Sequence, residues 1–187
     1  MTRQDETSPL TYGIETHQHR FAAWAASRAA SVKNCRFSVE HGRAILEDCG
    51  FEANFSRPEQ LPEPRAVDEE HRRWRADVIA AARSRELLFT HGVAAKLVNI
   101  YLKSRFVCGG RHAHERVQNL HPPIDSVLLA TLAELNVGGN AKEWKRAAKT
   151  RWSKFTSDDY EQVIQLIRQS LNGAPLWKIE VHWRGNQ

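Results

Sequence analysis

The sequence predicts an all-α protein with two lobes, and three observations support that prediction. Apolar residues recur at spacings of three and four along most of the chain, which is the period of an amphipathic helix. Glycines and prolines separate these segments instead of interrupting them. No two segments show the alternation that a pair of β-strands requires. The 187 residues fit one domain, or two small lobes that share a core.

The N-terminal part is predicted to hold three helices. Residues 1–14 are polar and predict a flexible tail, and 15–32 predict an alanine-rich helix that packs closely on another helix. A shorter helix is expected over 39–49, with a glycine as its stop. Three prolines among charges predict a linker over 51–66, and 67–89 predict a long helix.

The C-terminal part is predicted to add four or five helices. Residues 93–105 and 124–135 are strongly apolar and periodic, with an irregular stretch between them. A short basic helix is expected over 141–149, and Thr156 with two following aspartates predicts the start of another. The last segment, from Pro175, is predicted to be helical, with a strand as the alternative. The expected lobes are 15–66 with this C-terminal segment, and 67–155.

Composition narrows the class of protein. No window approaches the roughly 20 apolar residues that a membrane span needs, and the N-terminus lacks the apolar run of a secretory signal. Three cysteines with no close pair predict no disulfide framework, so a cytoplasmic location is expected. No glycine-rich nucleotide loop and no standard metal-ligand spacing occurs, so neither a cofactor nor a metal is expected.

The net charge of +5 is unevenly distributed. Residues 94–187 hold 14 Lys and Arg against 8 Asp and Glu, whereas the rest of the chain holds 13 against 14. A basic half favours binding to a polyanion. A solvated surface that happens to be basic is the alternative.

Two helix starts could bring a lysine and an aspartate together. Gly92-Val93-Ala94-Ala95-Lys96 is a glycine turn that opens a helix, and Pro122-Pro123 restricts the backbone just before Asp125. A lysine amine is a nucleophile only when it is unprotonated, and a helix N-terminus disfavours the ammonium form. Taken singly, Lys96 could be an ordinary surface lysine and Asp125 an ordinary helix cap.

These residues carry a family resemblance. Gly92-Val93-x-x-Lys96, followed by Pro123-Ile124-Asp125, resembles the hairpin and catalytic aspartate of the helix-hairpin-helix DNA glycosylases, and most closely their 8-oxoguanine DNA glycosylase branch. The likeness covers about residues 87–135, a quarter of the chain, and 29 residues separate the lysine from the aspartate. Thr90-His91 and Ala94 differ from the leucine-proline and second glycine that are usual in the family hairpin.

The resemblance implies base excision from double-stranded DNA that carries a damaged or modified base. A flipped nucleotide would enter a pocket, Lys96 would attack the sugar carbon, and Asp125 would stabilise the positive charge that develops there. Cleavage of the strand by lyase chemistry could follow. The hairpin at Gly92 would hold the DNA backbone. Phe21, Trp24, Trp177 and Trp183 are candidates for lining the pocket, and core packing is the alternative for each of them.

A second stretch favours nucleic-acid binding. Residues 142–154 hold six basic residues and one acid, with Trp144 and Trp152 between them. Basic side chains on one helix face can follow a phosphate backbone, and aromatic rings can stack on bases. The candidate backbone contacts are Lys142, Lys145, Arg146, Lys149 and Arg151.

Two other functions fit the same residues. A non-catalytic helical module that binds nucleic acid or a protein would keep the basic face and treat Lys96 as a surface lysine. A subunit of a larger assembly would use its tryptophans as an interface. A histidine-rich loop, Cys108-Gly109-Gly110-Arg111-His112-Ala113-His114, is predicted to contact phosphate in preference to metal.

Overall fold

A computed structural model describes residues 12–185. These residues form nine α-helices and no β-strand, so the predicted all-α class is confirmed. The helices are Ile14–Ala30 (α1), Val39–Asp48 (α2), Phe51–Asn54 (α3), Val67–Arg83 (α4), His91–Leu102 (α5), Glu115–Gln118 (α6), Ser126–Glu134 (α7), Ala141–Lys149 (α8) and Ser157–Leu171 (α9). A 3-10 helix over Leu176–His182 follows α9.

The first hydrophobic cluster joins α1, α2, α4 and α5. Ala22, Ala23, Ala26 and Ala30 are all fully buried in α1, which makes extensive contact with α5. Side chains this small let two helix backbones approach closely, as the alanine content predicts. The predicted apolar stripe was wrong, however, because it included Phe21 and Trp24, which the structure leaves exposed. Large side chains of the other helices complete the cluster, among them Ile45, Phe51, Trp74 and Tyr101.

The second hydrophobic cluster joins α7, α8, α9 and the C-terminal 3-10 helix. Trp144 of α8 is fully buried and donates its Nε1–H to the carbonyl oxygen of Val137 at 2.9 Å. Leu176 and Ile179 of the 3-10 helix are buried in the same cluster. The C-terminal segment therefore packs with α7–α9, whereas the sequence grouped it with residues 15–66.

Helix α5 lies between the two clusters. Leu97 and Val98 pack in the first and Ala95 in the second, so both faces of the helix are covered. The Thr90 side chain caps its start by accepting from the Val93 amide. After Leu102 the chain continues as a π-helix over Lys103–Arg111, a region that the sequence analysis treated as irregular beyond residue 105.

The observed elements differ from the predicted ones in several places, and part of one prediction falls outside the described residues. Helix α4 ends at Arg83 because the chain turns at Glu86, which has a left-handed φ of 59°. The segment 51–66 is not wholly loop, since it contains α3 and two 3-10 turns. Most of the tail predicted over 1–14 lies outside the described residues, and α1 begins at Ile14. In the described chain, no helix has the length and apolar character needed to cross a membrane.

Candidate active site

Lys96 and Asp125 are in direct contact. The Lys96 Nζ donates to Asp125 Oδ2 at 3.0 Å, and the two side chains are 7% and 19% exposed. Lys96 projects from the second turn of α5, and Asp125 stands immediately before α7. The fold therefore brings together the two residues that the sequence analysis paired across 29 positions.

The environment of Lys96 lowers the pKa of its amine. Burial lowers the pKa of Lys96 below its usual value, because the charged form loses hydration, although the Asp125 carboxylate opposes this shift. The Nζ also lies 5.5 Å from the centre of the Trp152 ring. A lysine with a lowered pKa has a larger fraction of unprotonated amine near neutral pH, and that form is the nucleophile.

Asp125 has three hydrogen-bond donors on its two oxygens. Oδ1 accepts from the Leu128 amide at 2.9 Å and so caps α7, as the alternative interpretation of this residue held. Oδ2 accepts from Lys96 and from Trp183 Nε1, each at 3.0 Å. Burial opposes ionisation of the carboxyl, but the Lys96 charge and these donors outweigh it and lower the pKa of Asp125. The carboxylate is thus ionised and oriented by the fold.

The pair faces a cavity of about 320 Å³. Trp152 and Trp183 contribute aromatic surface to its wall, and Ile100 and Pro123 contribute aliphatic surface. The wall is mainly apolar, with its polar groups concentrated at the Lys96–Asp125 pair and at one other pair. A cavity of this kind suits a flat, partly polar ligand.

The other charged pair in the wall is Lys103 with Glu180. Their side chains form an ion pair between the π-helix that follows α5 and the C-terminal 3-10 helix. Burial raises the pKa of Glu180 above its usual value, even though the Lys103 charge opposes the shift. The sequence analysis assigned no role to Glu180, because it could not place the C-terminal segment against α5.

A network of buried polar side chains lies next to the Lys96–Asp125 pair and connects α5 to the segment before Asp125. Asn99 lies one turn after Lys96. Its Nδ2 donates to the Pro122 carbonyl oxygen and to Tyr160 Oη, both at 2.9 Å. Its Oδ1 accepts from His71 Nε2 at 2.6 Å. Tyr160 Oη is also 3.0 Å from His121 Nδ1. Neutral Nε2–H tautomers of both histidines satisfy all of these contacts.

Gly92 is buried, which corrects its assignment to the DNA interface. A Cβ at this position would lie 1.8 Å from the Trp152 carbonyl oxygen, so the chain after α8 covers the glycine. The Gly92 amide donates to the Phe155 carbonyl oxygen at 3.3 Å and is not free for phosphate. The glycine at this position permits close approach of two segments of the same chain.

Three of the predicted pocket aromatics do not line the cavity. Phe21 and Trp24 are 57% and 51% exposed on the outer face of α1, because the alanines occupy its buried face. Trp177 packs edge-on against His112, with ring centres 5.8 Å apart, and lines a different cavity. Trp183 does line the cavity, together with Trp152, which the sequence analysis assigned only to the basic segment.

The predicted basic face is present on α8. Lys142, Lys145, Arg146, Lys149 and the following Arg151 are all exposed. None of the five pairs with a carboxylate within the described part of the chain. Trp144 is a core residue and not a stacking platform, whereas Trp152 lies three residues after α8 in the cavity wall.

The histidine-rich loop does not gather into a ligand set. Cys108 is exposed and unpaired, and His121 is buried in the network beside Asn99. Elsewhere within residues 12–185, possible ligand atoms of His19, Glu47 and Glu52 lie within 4.8 Å of one another, which is close enough to share a metal ion. His19 Nε2 also lies 3.2 Å from Glu47 Oε1, and this contact is an ion pair when the histidine is protonated.

Comparisons of this chain with known protein families, with curated proteins and with solved structures gave no match.

Proposed function

We propose that this protein is a DNA glycosylase that removes a damaged or modified base, with Lys96 as the nucleophile and Asp125 as its electrostatic partner. One observation carries the proposal: Lys96 Nζ lies 3.0 Å from Asp125 Oδ2, and both residues line a cavity of about 320 Å³. A lysine and an aspartate buried together at a cavity can supply the nucleophile and the electrostatic partner for displacement of a base from a sugar.

In the proposed reaction, the target nucleotide leaves the duplex and its base enters the cavity. The Lys96 amine forms a bond to the sugar C1′ carbon, and the bond from C1′ to the base nitrogen breaks. The electron pair of the broken bond goes to the base, which leaves with a proton given up by the attacking amine. Opening of the sugar ring then yields an imine between C1′ and Lys96, and elimination of the 3′ phosphate from this imine cleaves the strand.

The roles of the surrounding residues follow from their contacts. The Asp125 carboxylate stabilises the positive charge that develops on the sugar as the base departs. Its own position is fixed by the Leu128 amide and the Trp183 indole. The Trp152 and Trp183 rings offer flat apolar surface against which an extruded base can pack.

The basic face of α8 supports DNA as the substrate. The exposed cations of this face can contact phosphates of a duplex. Trp152, three residues after the end of α8, lines the cavity. A duplex held on α8 would contact the helix that precedes Trp152 in the chain. The same unpaired cations also favour the second candidate function, a nucleic-acid-binding module without catalysis.

The test is borohydride trapping on a duplex with an abasic site, which removes the need to know the base. Wild type is expected to give a covalent adduct, and Lys96→Gln is expected to give none. Lys103→Gln identifies which lysine reacts, since Lys103 lies in the same cavity wall but is paired with Glu180. Loss of the adduct in Lys103→Gln with retention in Lys96→Gln would contradict the proposal. Duplex binding without an adduct in any variant would favour the non-catalytic module.

A further inference from the structure

A second large cavity lies outside the Lys96 site. Its volume is about 810 Å³, and its walls come from the first turns of α1, from the segment before α4 and from the end of the π-helix. It shares no lining residue with the cavity at Lys96, because Arg105 and Lys103 leave the π-helix in different directions. A cavity volume of about 810 Å³ is within the usual range for sites that bind small molecules.

Arg105 is a buried cation without a counter-ion in this cavity. Its residue exposure is 6%, and no carboxylate of the described residues lies within ion-pair distance of it. Its guanidinium makes one side-chain hydrogen bond, from Nη1 to Tyr101 Oη at 3.3 Å. An arginine has five N–H donors, and Arg105 is one of the residues that line the cavity. Burial of a charge is costly unless an anion pairs with it.

The N-terminus of α1 opens onto the same cavity. Ile14, Glu15 and Gln18 line it, and among residues 12–185 no side chain caps the first amides of this 17-residue helix, since its N-cap residue is Gly13. Uncapped amides and the helix dipole favour an anion at this end of a helix. This feature is independent of the buried Arg105, and both point to negative charge in one place.

The remaining charged groups of the wall give it a positive balance. Arg57 and Arg111 are exposed at the rim, and neither has a carboxylate partner in the described chain. Glu15 and Glu59 also line the cavity, and Glu59 lies 3.6 Å from His114 Nε2. The cavity wall therefore holds three arginines and two glutamates, and the helix dipole adds further positive charge.

We propose that this cavity binds a small molecule that carries a phosphate group. Arg105 contacts the phosphate from the cavity floor, and Arg57 and Arg111 contact it from the rim. Guanidinium groups match the geometry of phosphate oxygens through paired hydrogen bonds, which is why several arginines at one cavity favour this anion. The volume exceeds what a lone ion fills, so the rest of the molecule occupies the space beside Phe106.

The test uses calorimetric titration of the full chain with inorganic phosphate, with adenosine 5′-monophosphate and with adenosine. Inorganic phosphate and adenosine 5′-monophosphate are expected to bind. The affinity for adenosine is expected to be at least tenfold lower than the affinity for the monophosphate. Arg105→Gln is expected to weaken phosphate binding at least tenfold. Because a buried substitution can impair folding, the double variant of Arg57→Gln and Arg111→Gln tests the same site from exposed positions. Arg28→Gln, an exposed arginine at the other end of α1, is the matched control.

The proposal would be overturned by no phosphate binding by wild type, by equal affinity in the double variant, or by an equal loss in Arg28→Gln. Displacement of the phosphate by an undamaged duplex would assign the cavity to a nucleic-acid backbone and would also overturn it. Lys96→Gln is expected to bind phosphate as wild type does. Failure of the glycosylase proposal and failure of this one are therefore distinguishable.

Discussion

Asn99 donates its side-chain amide to the carbonyl oxygen of Pro122 at 2.9 Å. This bond joins α5, one turn beyond Lys96, to the two-proline turn that places Asp125. The distance between the proposed nucleophile and its partner is therefore held by a neighbouring side chain as well as by their own contact. Asn99 is a positioning residue in this arrangement, since it is buried and does not line the cavity.

Replacement of Asn99 by Ala is expected to slow the reaction without weakening DNA binding. The turn before Asp125 loses its tie to α5, and small displacements of reacting groups are costly in rate. We expect single-turnover rates to fall by about tenfold or more, with the dissociation constant for an abasic duplex within about twofold of wild type. A parallel loss of binding and rate would instead indicate general unfolding.

Asp125→Asn and Asp125→Ala separate the two functions of this side chain. Asparagine keeps an oxygen for the Leu128 amide but loses the charge, so we expect a loss of about 100-fold in rate with the helix cap retained. Alanine also loses the cap, which costs about 1 kcal/mol further in the free energy of unfolding. Rapid-quench kinetics and urea denaturation measure the two quantities.

The asparagine variant also changes the pH dependence. The Asp125 charge raises the pKa of Lys96, whereas burial lowers it. Without that charge the pKa of Lys96 falls further, and the pH at which trapping reaches its plateau is expected to move to a lower value. A plateau that moves upward would be inconsistent with the proposed pairing.

Charge reversal on α8 is expected to weaken duplex binding through phosphate contacts. Lys142→Glu and Lys145→Glu should each lower affinity and should reduce the slope of log affinity against log salt by about one unit per lost contact. Arg83→Glu, at an exposed arginine on α4, is the control with the same charge change. Equal effects of all three substitutions would show that only net charge matters.

Gly92→Ala is expected to destabilise the protein, whereas Gly109→Ala is expected to be tolerated. An added Cβ at residue 92 meets the Trp152 carbonyl oxygen at 1.8 Å, but at residue 109 its nearest neighbour is 3.7 Å away. Overpacking against backbone costs about 1–3 kcal/mol or more, since the carbonyl must move. Denaturant titration of the two variants measures the difference, and equal stabilities would show that the segment after α8 does not rest on Gly92.

Stability is expected to fall as the pH drops below about 6.5. Burial lowers the pKa of His71 well below its usual value and also lowers the pKa of His121. In the unfolded state both imidazoles take up protons near their usual pKa, so the unfolded state binds more protons on acidification. The free energy of unfolding then declines by up to about 1.4 kcal/mol per pH unit for each imidazole, over the pH range between its unfolded and its folded pKa.

Variants at a buried and an exposed histidine check this prediction. Urea denaturation between pH 7.5 and 5 should give a shallower decline for His71→Gln, because one of the two imidazoles is removed. His41→Gln changes an exposed ring and should leave the slope as in wild type. A slope that is identical in all three proteins would contradict the assignment of neutral buried histidines.

Several local features were predictable because they depend on neighbours in the chain. The helical period places the alanines of α1 on one face and the cations of α8 on another, and both faces are found. Thr156 and Asp125 cap helices as short-range chemistry predicts. The pairing of Lys96 with Asp125 was predictable from two local turns and a family resemblance, although neither turn alone would have shown it.

Other features depend on which surfaces meet across the chain. Trp152 and Trp183 line the cavity and Phe21, Trp24 and Trp177 do not, yet all five are aromatic residues with unremarkable local surroundings. The sequence by itself determined where the longer helices lie and that Thr156 and Asp125 cap two of them, since these features follow from contacts within a few residues. Only the tertiary structure decided that Gly92 is covered, that Glu180 reaches Lys103 and that Asn99 holds the Pro122 turn. Those contacts join residues far apart in sequence, and the packing of whole helices sets them.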